Sequence, residues 1–192
     1  MKTNIATALF TAMTALGFAQ DAPSFPIERK ITEAAPVRAS FGYVRMGIAD
    51  SDAVHQFETL PGVGLGYRWA LGNGALDVSA NYTRELKTGD NENYFYTAPK
   101  VSYLHYLTAA DNQSFYAGLG LSWSGIKKAD AANNFDGIAP SASIGYEMNR
   151  HQTVRTFAQL DVYQPTMAVS SSNVSFSNLP GPLAEVSVGL GF

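Results

Sequence analysis

One short polar segment holds the residue types that nucleophilic catalysis requires. Asp50, Ser51 and Asp52 are followed by His55, so that a hydroxyl, two carboxylates and an imidazole lie close together in the chain. A serine beside a histidine base that a carboxylate orients could attack an acyl group. Proximity in sequence does not arrange a nucleophile, a base and an oxyanion donor in one geometry, however, and a solvated loop explains the same residues. We therefore expect no catalytic residue here.

The sequence has few residues of the kinds that bind a metal ion, a cofactor or a nucleic acid. It has no cysteine, and its three histidines are His55, His105 and His151, which are too far apart for the spacing of a metal site. The absence of cysteine excludes disulfides and thiolate ligands. A formal net charge of -3 argues against binding to nucleic acid. The sequence predicts no metal and no cofactor.

The other residues that could take part in chemistry are charged residues that recur within alternating apolar runs. In the run from Ala75 to Arg84, Asp77 stands between Leu76 and Val78. Because successive side chains of a strand point to opposite faces, such charges belong to the polar faces of strands. Four are basic and four are acidic: Arg38, Arg68, Lys100 and Arg155, and Asp77, Glu147, Asp161 and Glu185.

Eight alternating runs follow one another along the chain. Short links follow the second, fourth and sixth runs, and longer polar segments follow the first, third, fifth and seventh. Long loops at one rim and short turns at the other are typical of an antiparallel up-and-down barrel. The runs cover residues 37–47, 60–69, 75–84, 95–107, 115–125, 137–148, 154–164 and 182–192.

The charges indicate which face of these strands points inward. An eight-stranded barrel has an interior just wide enough for side chains to fill, and the glycine-rich polar faces fit that space. Unpaired buried charges would cost several kcal/mol each, but a balanced set can pair and hydrogen-bond. We therefore predict an all-β, eight-stranded antiparallel up-and-down transmembrane β-barrel with the charges inside. A soluble sandwich or a lipocalin-type barrel with the apolar faces inside is the alternative.

The large aromatic residues favour the membrane interpretation. If the short turns mark the lower rim, one group lies near the lower ends of the strands and another near the upper ends. Two aromatic belts of this kind mark the two interfaces of a bilayer. The predicted lower belt is Trp69, Phe115 and Tyr146, together with the terminal Phe192, and the upper belt is Tyr43, Tyr82, Phe95 and Trp123.

The N-terminal region has the pattern of an exported protein. Lys2 precedes an uncharged and mostly apolar stretch, and small residues stand three and one before a possible cleavage point after Ala19. This is typical of a signal peptide, because the stretch is too short and too weakly apolar to span a bilayer. We predict a signal peptide at residues 1–19, an N-terminal lead at 20–36 and the transmembrane barrel at 37–192.

The end of the chain carries the most specific resemblance. In the closing EVSVGLGF, Val186, Val188, Leu190 and Phe192 are apolar at alternate positions, and the last residue is aromatic. With the eight runs, this ending resembles the small eight-stranded bacterial outer-membrane barrels, the family of OmpX, NspA and the OmpA transmembrane domain. The resemblance implies that these four residues are an assembly signal. Ser187 departs from the glycine that the family often has there.

The resemblance also implies partners and a location, with residues 20–36 as a periplasmic N-terminal lead and residues 37–192 as an outer-membrane barrel. It implies insertion into outer-membrane lipid with the help of the barrel insertion machinery and periplasmic chaperones, and it identifies no extracellular ligand. The leading hypothesis is a non-enzymatic barrel that acts through its extracellular loops, in adhesion or another surface interaction, or that supports the envelope. The alternatives are a barrel enzyme that modifies lipid A, through the segment around His55, and a narrow pore or carrier of small apolar ligands. A second lipid A-modifying pattern fails, because Ser170 stands where that pattern has histidine.

Overall fold

The computed structural model of the chain describes residues 40–51, 60–84, 93–108, 110–127, 135–169, 174–176 and 179–192, with the backbone alone at 50 and 51. The predicted signal peptide at 1–19, the predicted lead at 20–36 and Arg38 lie outside the described residues. Among the described residues, no helix is long and apolar enough to cross a membrane.

The described residues form ten β-strands, and eight of them correspond to the eight predicted runs. The two further strands, β8 and β9, lie between the last two runs. The strands are β1 Ser40–Ser51, β2 Leu60–Leu71, β3 Gly74–Arg84, β4 Tyr94–Tyr106, β5 Ser114–Lys127, β6 Phe135–Met148, β7 Arg155–Tyr163, β8 Met167–Val169, β9 Val174–Ser175 and β10 Leu183–Gly191.

Eight strands close into one antiparallel barrel. Strands β1 to β7 pair in sequence order, β7 pairs with β10, and β10 pairs with β1, where Val44 lies opposite Leu190. Closure pairs both edges of every strand in the ring, so the ring has no open edge. The predicted all-β, eight-stranded antiparallel up-and-down barrel is confirmed.

The short strands β8 and β9 form an extension above the ring that the sequence did not predict. Ala168 of β8 pairs with Gly137 near the start of β6, and on its other side it pairs with Ser175 of β9. The backbone between β7 and β8 follows β6 as well, because the amide of Gln164 donates to the carbonyl of Pro140 at 2.9 Å. The last long connection is therefore partly ordered as a hairpin on the sheet.

The apolar side chains of the strands lie on the outside of the barrel. In β5, Leu119 is 73% exposed and Leu121 is 59% exposed, whereas Ser122 and Ser124 are buried inside. The same alternation holds in β2, β3, β6, β7 and β10, with polar or small residues inward. Burial therefore follows the pleat, as in a barrel whose outer face contacts lipid.

Strand β1 faces the opposite way from the prediction. Phe41, Tyr43 and Arg45 are buried inside, whereas Val44 and Met46 face outward. The prediction that Tyr43 belongs to the outer aromatic belt is wrong. The interior accepts its ring because the register places Tyr43 opposite a glycine of β2, and its hydroxyl donates to a carboxylate of β3.

Phe95 also lies inside the barrel, at 1% exposure. Strand β4 contains a bulge between the pairs Asn81–Thr97 and Ser79–Lys100, where two residues of β4, one of them a proline, oppose one residue of β3. An extra residue reverses the alternation beyond it. The prediction that Phe95 belongs to the upper belt is wrong for this reason.

Three of the inward aromatic rings lie opposite glycines on the neighbouring strand. A Cβ atom at Gly145 would lie 2.7 Å from the carbonyl oxygen of Ala158 and closer still to the ring of Tyr116. Glycine therefore provides the space that each ring occupies. The pairs are Tyr43–Gly66, Tyr116–Gly145 and Phe157–Gly189.

Candidate functional site

A network of buried ion pairs fills the barrel, and its lower part is built around Arg68. This residue lies opposite Asp77 across the β2–β3 hairpin, and its Nε donates to Asp77 Oδ2 at 2.6 Å. Its Nη1 donates to Glu147 Oε2 at 3.0 Å, from β6 on the other side of the lumen. The guanidinium carbon lies 4.4 Å from the ring centroid of Phe157, within the range of a cation–π contact. One cation thus holds two carboxylates.

Glu147 is the second centre of the lower part. Its Oε2 accepts a hydrogen bond from the Tyr106 hydroxyl at 2.6 Å, and its Oε1 lies 3.3 Å from Arg155 Nη1. Arg150 in the β6–β7 turn approaches the same oxygen, with its Nε at 3.7 Å. Arg150 is itself buried, and its Nη1 donates to the carbonyl of Thr108 in the neighbouring turn at 3.0 Å. These contacts join β4, β6 and β7 at the short-turn end of the lumen.

The upper part of the network is built around Asp161 of β7. Its Oδ2 pairs with Arg45 Nη1 at 3.0 Å, and its Oδ1 pairs with Lys100 Nζ at 2.5 Å. The hydroxyl of Ser143 donates to the same Oδ1. Three strands, β1, β4 and β6, thus supply partners to one carboxylate, which satisfies its lone pairs in a site without solvent exposure.

Glu185 and Asn81 extend the upper part. The hydroxyl of Tyr163 donates to Glu185 Oε2 at 3.1 Å, and Asn81 Nδ2 donates to the same oxygen at 3.3 Å. Arg45 Nη2 lies 3.8 Å from this oxygen, and Arg45 Nε donates to Asn81 Oδ1. Polar side chains of β1, β3, β7 and β10 are therefore joined across the lumen.

Gln159 connects the two parts of the network. Its Nε2 donates to both carboxylate oxygens of Asp161, at 2.9 Å each. Its Oε1 accepts from Arg68 Nη2 and from the Tyr116 hydroxyl, at 2.7 Å each. The amide thus uses both of its ends, and it makes a continuous chain of hydrogen bonds from Arg68 to Asp161.

An apolar layer lies above the network, near the long-loop rim. The rings of Phe95 and Tyr163 pack edge to face with centroids 5.4 Å apart. Ala168 of β8 and Leu179 pack against this layer from the last connection. The layer separates the ion pairs from the upper rim. It consists of Ala49, Leu60, Phe95, Ile126, Phe135, Ala139, Tyr163 and Leu183.

The structure places seven members of the predicted interior charge set in the buried network, and Arg38 lies outside the described residues. Arg45 and Arg150 are buried charges that the sequence reasoning missed. The spacing of Arg45 between the apolar Val44 and Met46 was a signal for its inward position. The seven are Arg68, Asp77, Lys100, Glu147, Arg155, Asp161 and Glu185.

Six members of the predicted belts remain on the outside of the barrel: Trp69, Tyr82, Phe115, Trp123, Tyr146 and the terminal Phe192. The four residues of the predicted assembly signal also face outward on or just after β10. Phe192 is 66% exposed, and its amide donates to the carbonyl of Gly42 at 2.9 Å. His105 faces outward near the β4–β5 turn, and His151 lies in the β6–β7 turn.

The segment considered for catalysis lies outside the described side chains, which include neither Asp50 and Ser51 nor Asp52 and His55. Ser170 also lies outside the described residues. Among the residues that are described, no group of three or more histidine and acidic side chains is close enough to hold a metal ion.

The closed ring of eight antiparallel strands, with an apolar exterior and a charged interior, defines the fold of the small outer-membrane β-barrels. Neisserial surface protein A (NspA) shares this fold: it is 11% identical, with a TM-score of 0.61 over 80% of this chain and 96% of that chain.

Two further barrels align less closely. The N-terminal domain of Pseudomonas aeruginosa OprF is 12% identical, with a TM-score of 0.46 over 81% of this chain and 98% of that chain. Ail, the attachment invasion locus protein of Yersinia pestis, is 13% identical, with a TM-score of 0.48 over 79% and 95%. At these identities the likeness concerns the fold alone. No family model and no curated protein matches the chain in sequence.

Proposed function

We propose that this chain is an integral outer-membrane barrel with a closed lumen and no catalytic role, which acts through its long-loop rim or supports the envelope. In this proposal the short turns face the periplasm, and the long connections face the outside of the cell. The barrel insertion machinery and periplasmic chaperones deliver it, and the outer-facing residues Val186, Val188, Leu190 and Phe192 are read as the assembly signal.

The outer surface supports the membrane location. Large apolar side chains are exposed on strands all around the ring, among them Leu65 of β2, Leu119 of β5, Ile144 of β6 and Leu190 of β10, all above half exposure. A contiguous apolar surface of this kind marks an interaction site, and around a closed barrel that site is the hydrocarbon of a bilayer. Trp69 and Phe115 near the short turns and Tyr82 and Trp123 near the long loops border it.

One observation carries the proposed closed state: the lumen is crossed by the Arg68–Gln159–Asp161 chain of hydrogen bonds and covered by the apolar layer above it. An ion that entered would have to displace paired charges and pass between Phe95 and Tyr163. The obstructed lumen argues against the pore or carrier alternative, because conduction requires a polar path that an ion can enter and leave.

A barrel with a filled interior interacts with other molecules at its rims and on its outer wall. The strand ends that lead into the polar connections between β1 and β2, β3 and β4, β5 and β6, and β7 and β10 all lie at one rim. Adhesion or another surface contact through that rim, and mechanical support of the envelope, are the roles that remain within the proposal. Nothing in the described residues favours the lipid A-modifying alternative.

Two measurements test this proposal. In cell fractionation, the protein is expected in the outer membrane and should migrate differently in heated and unheated gel samples, because closed barrels resist unfolding by detergent. In planar bilayers that contain the refolded protein, we expect no steady conductance, with a general porin as the positive control. A soluble periplasmic pool with identical gel mobility would contradict the location, and a steady conductance would contradict the closed lumen.

A further inference from the structure

A patch of basic and aromatic side chains lies on the outer wall of the barrel near the long-loop rim. Arg84 of β3 lies opposite Tyr94 of β4, and Tyr94 lies opposite Lys127 of β5. Arg84 and Lys127 are exposed, and Lys127 Nζ lies 5.8 Å from the ring centroid of Tyr94. Because neighbouring strands are about 4.8 Å apart, the two basic residues have backbones about 10 Å apart. They flank one tyrosine.

Two more tyrosines lie one row below this group. Tyr82 is opposite Tyr96, and the ring of Tyr94 lies 6.0 Å from that of Tyr82 and 6.4 Å from that of Tyr96. The Tyr96 hydroxyl donates to Asp136 Oδ1 at 3.0 Å, on the side of the patch away from Arg84. Tyrosines with an apolar ring and a polar tip favour the interface between hydrocarbon and headgroups.

The height of the patch agrees with an interfacial position. Lys127 lies twelve residues beyond Phe115 along β5. At about 3.3 Å for each residue and a strand tilt near 40°, this separation is roughly 30 Å along the barrel axis. The apolar band of such barrels is about 25 Å tall. If Phe115 marks the lower edge of that band, Lys127 and Arg84 lie just above its upper edge, at the level of lipid headgroups.

We propose that this patch, formed by Arg84, Tyr94 and Lys127 with Tyr82 and Tyr96 below, binds a phosphate group of a phosphorylated glycolipid in the outer leaflet. The inference rests on the proposed outer-membrane location. A guanidinium and an ammonium on the two strands that flank one tyrosine match the charge and the hydrogen-bonding needs of a phosphate. The tyrosine rings would contact the acyl chains below it. Asp136 disfavours an anion on its own side, which places the phosphate between the two cations.

The test compares three forms of the full barrel, refolded in a zwitterionic detergent. They are the unaltered chain, the double variant Arg84→Ser with Lys127→Ser, and the charge-retaining swap Arg84→Lys with Lys127→Arg. Diphosphorylated lipid A is titrated into each, and native mass spectrometry measures the bound fraction. Fully dephosphorylated lipid A and inorganic phosphate are the comparison probes. Urea unfolding of each form checks that the barrel is intact.

We expect the serine double variant to lose about thirtyfold in affinity for lipid A. Each basic residue near a membrane surface contributes about fivefold to binding, and the variant removes two of them. The swap variant should stay within about threefold of the unaltered chain. Dephosphorylated lipid A should bind no better to the unaltered chain than to the serine variant, and inorganic phosphate should not compete.

Equal lipid A binding by the unaltered chain and the serine variant would overturn the inference, and so would competition by inorganic phosphate, which would mean that a free anion is the ligand. Either result, in a barrel that inserts into vesicles, would leave the proposed function intact. A chain that remains soluble and does not insert would instead contradict the proposed function itself.

Discussion

Arg68 and Asp77 form a buried ion pair across a two-residue turn, with the arginine Nε 2.6 Å from the aspartate Oδ2. The two residues are register partners at the adjoining ends of β2 and β3, so the hairpin itself sets their separation. Arg68 continues to Glu147, which belongs to a different hairpin. The pair therefore connects a local element to the far wall of the barrel.

Replacing Arg68 should destabilise the barrel strongly. Arg68→Met keeps much of the side-chain volume but leaves Asp77 and Glu147 without their shared cation, and breaking a buried pair by removing one partner costs about 3–5 kcal/mol. Urea titration of the barrel in lipid vesicles would measure the loss. Gln113→Met is the control, because Gln113 is exposed in the β4–β5 turn, and surface substitutions of this kind usually change stability by less than about 0.5 kcal/mol. Equal losses for the two variants would contradict the network.

Removing the amide of Gln159 should uncouple the two parts of the network. Gln159→Leu leaves Asp161 with fewer donors and removes the acceptor that Arg68 and Tyr116 share, at an expected cost of about 2–4 kcal/mol. Gln152→Leu, the same change at an exposed position in the β6–β7 turn, should cost less than about 0.5 kcal/mol.

The coupling itself is measured by a double-mutant cycle between Arg68→Met and Asp161→Asn. With Gln159 present, the two effects should be non-additive by about 0.5 kcal/mol or more, and with Leu at that position they should add. Additive effects in both backgrounds would show that Gln159 does not join the two parts.

Gly145 should not tolerate a side chain. A Cβ atom there would overlap the ring of Tyr116 and lie 2.7 Å from a backbone carbonyl, so Gly145→Ala should lower stability by about 1–3 kcal/mol through overpacking. Gly42→Ala is the control, because its nearest neighbour would be the Tyr67 ring at 3.8 Å, an ordinary contact. Circular dichroism melts of both variants in detergent would compare them, and a stable Gly145→Ala barrel would refute the described packing of Tyr116.

Phe192 should matter for assembly and little for the finished barrel. Its ring is exposed, and its backbone amide donates one hydrogen bond to the carbonyl of Gly42. Deletion of Phe192 should therefore change the stability of the refolded barrel by about 1 kcal/mol or less. In cells, the deletion should leave exported protein that is not inserted, measured by outer-membrane fractionation. Phe192→Tyr should insert normally, and Phe115→Ala, at another exposed phenylalanine, is the control. Normal outer-membrane levels of the deletion would contradict the assembly-signal hypothesis.

The sequence was sufficient for the strand number, the loop alternation and the facing of six strands of the ring. Strands such as β3 and β7 alternate strictly, with Asp77 or Asp161 marking the inward side, so the pattern had one interpretation. The pairing of Arg68 with Asp77 follows from local sequence as well, since a two-residue turn brings the adjoining ends of β2 and β3 together. Which residues meet across the lumen, such as Arg68 and Glu147, depends on the stagger of the strands, which no local pattern encodes.

The misjudged strands had two physical causes. In β1, the aromatic residues were assumed to face lipid, but the glycine of β2 opposite Tyr43 leaves room for a ring inside. In β4, Pro99 within a strand was a signal for a bulge, which reverses the facing of Phe95. The hairpin of β8 and β9 was not predicted because these strands are only three and two residues long, too short to show a period.

The charged side of the strands faces the lumen and the apolar side faces lipid, and two neighbouring residues of β3 provide a direct test of this orientation. Asp77 and Val78 must lie on opposite sides of the sheet. Because the chain has no cysteine, Asp77→Cys and Val78→Cys each give a single thiol. With the barrel in vesicles, a membrane-soluble maleimide should label position 78 and leave position 77 unmodified. Labelling at 77 without labelling at 78 would contradict this orientation and would mean that the apolar side of the strands faces the lumen.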